Sequence, residues 1–299
     1  MNALVEVRGL TKQFPHAQGA RVHAVENVSL TINRKETLAV VGESGCGKST
    51  LANLIMRLDR PTSGSIEVDG TDISSLSQSR LRPHRRKMQM VFQDPFSSLD
   101  PRRRAGDAVE DPLRIHKVGT AESRAEKVRS LFELVRLTPE HRENYPHQFS
   151  GGQRQRVCIA RALALEPQLI VADEAVSALD VSVQASVLDL MVDLQDRLGL
   201  SYLFISHDLA IVEQISHRVA VMYLGQVVEL GSRDQVFSDP RHPYTRKLLD
   251  AAPIADPHRR RAHKLQGGEV PSPVWAKGTA PEHVVHDEVA PGHFVAQTP

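Results

Sequence analysis

The stretch "TLAVVGESGCGKSTLANLIM", residues 37–56, constrains this chain more than any other. A short run without charge, 37–41, gives way to three glycines, Gly42, Gly45 and Gly47, and then to a leucine-rich segment. That order reads as strand, glycine turn, helix. A strand with no polar alternation is buried on both faces, the habit of parallel sheets covered by helices. "LIVA" (169–172) and "YLFIS" (202–206) are two more such runs. Between them Val183, Val187, Met191, Leu194 and Leu198 recur at helical spacing up to Gly199, which stops the helix. The unit is βαβ, with a right-handed crossover.

Other segments surround that α/β core. "VEVRGLTKQF" and "VHAVENVSLTI" alternate and are rich in valine, so they read as antiparallel strands beside the parallel sheet. Residues 105–165 read as mostly helical, and "RVAVMYLGQVVEL" (218–230) as a hairpin turning near Gly225. Past about residue 250 the composition shifts to Pro, Gly and His with little periodicity, the mark of an appendage or tail. A chain of 299 residues with 40% apolar content fills a substantial core. Lys+Arg number 37 against 36 Asp+Glu, so there is no global basic footprint and no nucleic-acid partner is expected. The basic runs "RPHRRK" (82–87) and "RRR" (102–104) read as solvated faces or protein contacts. No stretch approaches the roughly 18 apolar residues needed to cross a bilayer, and "MNALVEVRGL" has no secretory-signal pattern. Two cysteines, Cys46 and Cys158, fit a reducing compartment and give no disulfide framework.

"GESGCGKST" (42–50) fits G-x-x-x-x-G-K-[ST]. From Gly42 through Glu43, Ser44, Gly45, Cys46 and Gly47 the backbone can curl so that N–H groups face phosphates. The helix behind adds its positive N-terminal end. Lys48 would reach the β- and γ-phosphates of ATP, Ser49 would take Mg²⁺, and Thr50 would assist at the α-phosphate. Asp173, ending a buried strand, would hold the Mg²⁺ shell; Glu174, next in the chain, would orient or deprotonate the attacking water. The ordinary alternative, an acidic pair capping a turn, loses ground once the phosphate loop is present. In "FSGGQRQRV" (149–157), Ser150 and Gln153 make an S-x-x-Q capping box. Gly151 and Gly152 in its first turn are odd for that purpose, since glycine costs about 1 kcal/mol in a helix, but suit close approach to an anion.

"GESGCGKST", "SGGQ", "LIVADE", "SALD" and a histidine after a third strand, in this order, resemble an ABC-transporter ATPase over roughly residues 4–250. The resemblance implies a P-loop NTPase with a parallel core sheet, an antiparallel β subdomain and a helical ABC-specific subdomain at about 95–165. It divides the chain into an ATPase domain, 1–250, and a C-terminal extension, 251–299. It implies a head-to-tail dimer in which the P-loop of one subunit and Ser150, Gly151, Gly152 and Gln153 of the other sandwich ATP. Gln93 in "MVFQDP" resembles the Q-loop glutamine, which touches Mg²⁺ or water, and is otherwise an exposed loop amide. Asp180 in "SALD" resembles the D-loop aspartate at the dimer interface and also stands where a helix N-cap would. His207 in "ISHD" resembles the switch histidine at the γ-phosphate. Phe14 in "LTKQF" resembles the aromatic that stacks on adenine, or is core. Phe149 stands where the family usually has leucine.

"FQDPFSSLDPR", "DEAVSALDVSVQA", "DPRHPYTRKLL" and "GGEVPSPVW" resemble the dipeptide/oligopeptide (and nickel) importer branch, and "EAVSALD" its second ATPase. The branch implies two transmembrane permease subunits, a second ATPase in a homo- or heterodimer, and an extracytoplasmic solute-binding protein reached indirectly. It places the chain peripherally on the cytoplasmic face of the bacterial inner membrane. Peptide uptake is the expected task, with nickel, glutathione or another small solute as alternatives. A soluble ABC ATPase of translation or DNA repair is a distant one, since there is one cassette and no heptad run. Many members carry a cysteine cluster for an iron–sulfur centre; with no cysteine after Cys158, none is expected here. The histidines His258, His263, His283, His286 and His293 match no metal-site spacing and are expected to be solvated.

Overall fold

The computed structural model describes residues 3–251, 274–276 and 278–297. In chain order β1 (Ala3–Pro15), β2 (Arg21–Asn33) and β3 (Thr37–Val41) lead into α1 (Lys48–Ile55), then β4 (Ser63–Val68) and β5 (Thr71–Asp72). Next come α2 (Gln78–Lys87), β6 (Met88–Val91), α3 (Pro95–Ser98), α4 (Ala105–Ile115), α5 (Ala121–Leu134) and α6 (Gly151–Leu163). The remainder is β7 (Leu169–Asp173), α7 (Val181–Leu198), β8 (Ser201–Ile205), α8 (Leu209–Ile215), β9 (Arg218–Tyr223), β10 (Gln226–Ser232), α9 (Arg233–Ser238) and α10 (Pro243–Ala251). Three short strands follow: β11 (Val274–Trp275), β12 (His286–Ala290) and β13 (His293–Ala296).

Two sheets result. The larger has the order β12-β13-β10-β9-β3-β8-β7-β6, and β6, β7, β8, β3 and β9 are parallel neighbours. The smaller, β11-β2-β1-β4-β5, is antiparallel. The unbroken apolar runs now have a physical account. Leu38 and Val40 of β3 enter the core shared with the antiparallel sheet, while Ala39 and Val41 enter the core under the helices. Leu169 and Val171 against Ile170 and Ala172, and Leu203 and Ile205 against Tyr202 and Phe204, divide in the same way. With both faces covered, neither face has a place for a polar residue.

The helical reading of 105–165 resolves into α4, α5 and α6, joined by turns. On α7, Val187, Met191 and Leu194 are buried as the spacing predicts, but Leu198 in the last turn is 48% exposed. Gly199 closes that helix with φ +66°, a left-handed conformation that favours glycine. The basic run 82–87 lies on α2 and its end, and each arginine of 102–104 pairs with a carboxylate: Arg102 with Asp100, Arg103 with Asp111, Arg104 with Glu143.

The last segment differs from the expectation of a featureless tail. β13 pairs antiparallel with β10 and β12 with β13, so residues 286–296 extend the large sheet. The expected solvation also fails at His293, which is 2% exposed with Nε2 2.8 Å from the Glu229 carboxylate. His283 and His286 are exposed, as expected, but each is partnered, on Glu26 and the Val227 carbonyl. His258 and His263 lie outside the described residues. A proline-rich stretch has no period of its own; its strands are specified by the edges they meet, β13 by β10, β12 by β13 and β11 by β2.

Candidate active site

The site is built where strands β3, β7 and β8 end, the position at which open α/β sheets bind ligands. From Val41 the chain turns through residues 42–47 into α1. Gly42 and Gly47 have φ +151° and +106°, and a Cβ on either would lie about 2 Å from a backbone carbonyl oxygen, that of Met222 or Ala24. Gly45 also has positive φ, +81°, but no described atom lies within 4 Å of where its Cβ would be. Two glycines are therefore required by protein packing, and the third faces open space. The loop is braced from behind. The Gly225 N–H, at the turn of the β9–β10 hairpin, donates to the Cys46 carbonyl at 3.0 Å. The Tyr244 hydroxyl on α10 accepts from the Glu43 N–H at 3.1 Å.

Lys48 is buried, its Nζ donating to the Gly42 and Glu43 carbonyls at 2.7 and 2.8 Å and lying 3.8 Å from Cys46 Sγ. Ser49 Oγ donates to Asp173 Oδ1 at 3.1 Å, joining the first turn of α1 to the end of β7. Burial raises the Asp173 carboxyl above its ordinary value, against the Ser49 hydrogen bond and the nearby Lys48 charge. Thr50, next on α1, is half-buried, and Ser44 is exposed.

Glu174 follows with φ +49°, its N–H donating to the Ile205 carbonyl of β8 at 2.9 Å. A non-glycine residue in that region is uncommon and occurs where the surroundings over-determine it. Its carboxylate is claimed from both sides. Gln93 Nε2, after β6, donates to Oε2 at 2.7 Å, and His207 Nδ1, after β8, lies 3.1 Å from Oε1. Gln93 and His207 are exposed while Glu174 is half-buried. Residues 81 and 33 positions away in sequence thus converge on one carboxylate.

The other predicted residues lie apart from this hydrogen-bonded cluster. Ser150 and Gln153 satisfy each other: Ser150 Oγ accepts from the Gln153 N–H, and Gln153 Oε1 from the Ser150 N–H. A Cβ on Gly152 would lie 2.3 Å from Val183 Cγ1, so this glycine also allows α6 and α7 to pack closely. Asp180 is the N-cap residue of α7, but its side chain makes no capping hydrogen bond and is exposed. Phe14 on β1 is 36% exposed, with Lys12 Nζ 4.9 Å from its ring centroid. The bracing by Tyr244 and Gly225 and the approach of the Met222 and Ala24 carbonyls have no signal in the sequence: "DPRHPYTRKLL" contains Tyr244 and the predicted hairpin turns at Gly225, but neither points to the loop.

Residues 25–177 match the family described as ABC transporter. The chain belongs to the ABC transporter ATP-binding family. Residues 228–278 match the oligopeptide/dipeptide transporter C-terminal region. The glutathione import ATP-binding protein GsiA of Salmonella paratyphi A is 52% identical over 98% of this chain, and that of Escherichia coli K12 is 51% identical over the same share. The chain spans about half the length of these relatives, 48% of each. The ATP-binding cassette MJ0796, solved as a post-hydrolysis dimer bound to ADP and Pi, superposes with TM-score 0.70 at 31% identity, covering 77% of this chain and 98% of that one. CbiO1 of Clostridium perfringens, part of the transporter complex cbiONQ, gives 0.72 at 27% identity over 80% and 92%. Among the described residues no helix is long and apolar enough to cross a membrane.

Proposed function

We propose that this chain is the ATP-hydrolysing subunit of an importer for glutathione or short peptides. The observation that carries the reading is Glu174, fixed between Gln93 and His207 and one residue beyond Asp173, which is bonded to Ser49 of the phosphate loop. ATP is the substrate. The triphosphate would lie along the open side of the loop at Gly45, with the N–H groups of Gly47 to Thr50 at the start of α1 available to it. A phosphate oxygen would replace the Cys46 sulfur as the third acceptor for Lys48. Phe14 would stack on adenine.

The Ser49 hydroxyl and Asp173 carboxylate, hard oxygen donors 3.1 Å apart, fit Mg²⁺, and Gln93, bonded to the neighbouring Glu174, would add its side-chain oxygen. Mg²⁺ would supply neutralisation of the phosphate charge. Glu174 would orient the attacking water in line with the γ-phosphate or accept its proton, and His207 would hold Glu174 and contact the phosphate. Ser150, Gly152 and Gln153 of a second ATPase subunit would close over the nucleotide, with Asp180 at the same interface.

Two permeases and an extracytoplasmic solute-binding protein would complete the machine on the inner face of the membrane. The C-terminal match, residues 228–278, and the glutathione-import relatives support this branch. The test is affinity capture of the tagged chain from detergent-solubilised native membranes. Two multi-span permeases among the recovered proteins bear the reading out; ribosomal or DNA-repair proteins in their place overturn it.

A further inference from the structure

A chain of buried hydrogen bonds runs from the C-terminal strand to the phosphate loop. Glu229 on β10 is fully buried, and a carboxylate placed so is costly unless every oxygen is engaged. Its Oε1 accepts from the Arg241 N–H at 2.9 Å and meets His293 Nε2 of β13 at 2.8 Å; its Oε2 accepts from the His242 N–H at 2.9 Å. The two backbone donors lie at the entry to α10, so this one carboxylate pins that entry to both β10 and β13. The next link is His242, 8% exposed, whose Nδ1 accepts from the Tyr244 N–H at 3.2 Å and so stands in for a cap on α10. Burial lowers the His242 pKa, which suits a ring nitrogen that must stay an acceptor. Tyr244 then reaches the loop: its ring packs on Tyr223 with centroids 4.3 Å apart, and its hydroxyl accepts from the Glu43 N–H at 3.1 Å. Tyr223 follows Met222, whose carbonyl abuts Gly42.

We infer that Tyr244 is a positioning residue for the phosphate-binding loop, held by Glu229 and by His293 of the C-terminal strand. The loop's entry is thereby set by a strand some 250 residues later in the chain. Its backbone N–H groups can face the phosphates without reorganisation only while Glu43 is tied. His293 acts at one remove: without it Glu229 is short of one partner and the α10 entry, hence Tyr244, is free to shift. This rests on the reading of residues 42–50 as an ATP site.

The test uses the whole chain and measures ATP affinity beside thermal unfolding and amide exchange of residues 42–48. Tyr244→Phe keeps the ring and removes only the acceptor. It should weaken ATP roughly three- to tenfold, the loss of one hydrogen bond, while leaving Tm within a few degrees and speeding exchange at Glu43. His293→Leu should weaken ATP by a similar factor, add little when combined with Tyr244→Phe, and be partly restored by His293→Gln, which again offers Glu229 a donor. Two independent, multiplying effects would overturn the relay, as would unchanged affinity in Tyr244→Phe. If the unaltered chain binds no ATP at all, the site reading falls instead, and faster exchange at Glu43 in Tyr244→Phe and His293→Leu still decides the relay.

Discussion

Gly45 and Gly47 stand two residues apart in the same loop, and substitution by alanine should separate packing from ligand approach. Both have φ in the left-handed half of the map, where a Cβ costs about 1–2 kcal/mol. Gly47→Ala carries a further charge against the fold. Its Cβ would lie 2.0 Å from the Ala24 carbonyl oxygen, some 1.4 Å inside ordinary contact, and that oxygen belongs to the backbone of β2. Overpacking of this kind adds about 1–3 kcal/mol. At roughly 2–4 °C per kcal/mol, Gly45→Ala should lower Tm by a few degrees and Gly47→Ala by roughly 5–15 °C. Nucleotide binding should rank the other way relative to stability. Around Gly45 no described atom comes within 4 Å, so a methyl there projects into the space assigned to phosphate. Fluorescent-ATP titration should show affinity down about ten- to a hundredfold in Gly45→Ala, despite its near-normal Tm. If Gly45→Ala binds ATP like the unaltered chain, the phosphates do not lie on that side of the loop and the reasoning fails.

Further outcomes follow from neighbouring residues. Burial raises the Asp173 carboxyl in the folded state, so its folded value exceeds its unfolded one. Its contribution to stability is then greatest below the ordinary carboxylate value and fades as pH rises through the raised one. Asp173→Asn should therefore raise Tm at neutral pH but not in acid, steepening the acid limb of a Tm-against-pH profile measured without nucleotide, and abolish stabilisation by Mg²⁺–ATP. Phe14→Ala, at a half-exposed position, should leave Tm within a few degrees while weakening ATP roughly tenfold, as titration would show. Gly152→Ala should destabilise by about 1–3 kcal/mol in chemical denaturation because its Cβ meets Val183 Cγ1, and Val183→Ala on top should recover most of that.

What was legible in the sequence was local. The strand–loop–helix at 37–55, the α7 helix with its glycine stop, the hairpin at Gly225 and the S-x-x-Q capping box each follow from periods and residue types within a few turns of chain. The order of the motifs carried the rest of the site. What was not legible depended on distant backbone. Nothing near Gly42 or Gly47 in sequence announces that the Met222 and Ala24 carbonyls abut them. The double glycine of 151–152 suits the approach of an anion, and the place of Gly152 against Val183 shows helix packing as a second demand on that residue. The C-terminal strands escaped notice because two to five residues among prolines show no period. β13 forms on the edge of β10, where His293 meets Glu229, β12 forms on β13, and β11 on β2.

The proposed role of Glu174, serving the water that attacks ATP, is tested by steady-state phosphate release from Glu174→Gln beside the unaltered chain, with ATP occupancy measured on both. Glutamine keeps the size and, through its one carbonyl oxygen, the hydrogen bond from Gln93, but accepts no proton. Turnover should fall roughly 10²–10⁴-fold with ATP still bound, the loss expected for a general base. Turnover unchanged at full occupancy would contradict it and would leave the carboxylate between Gln93 and His207 without a part in hydrolysis.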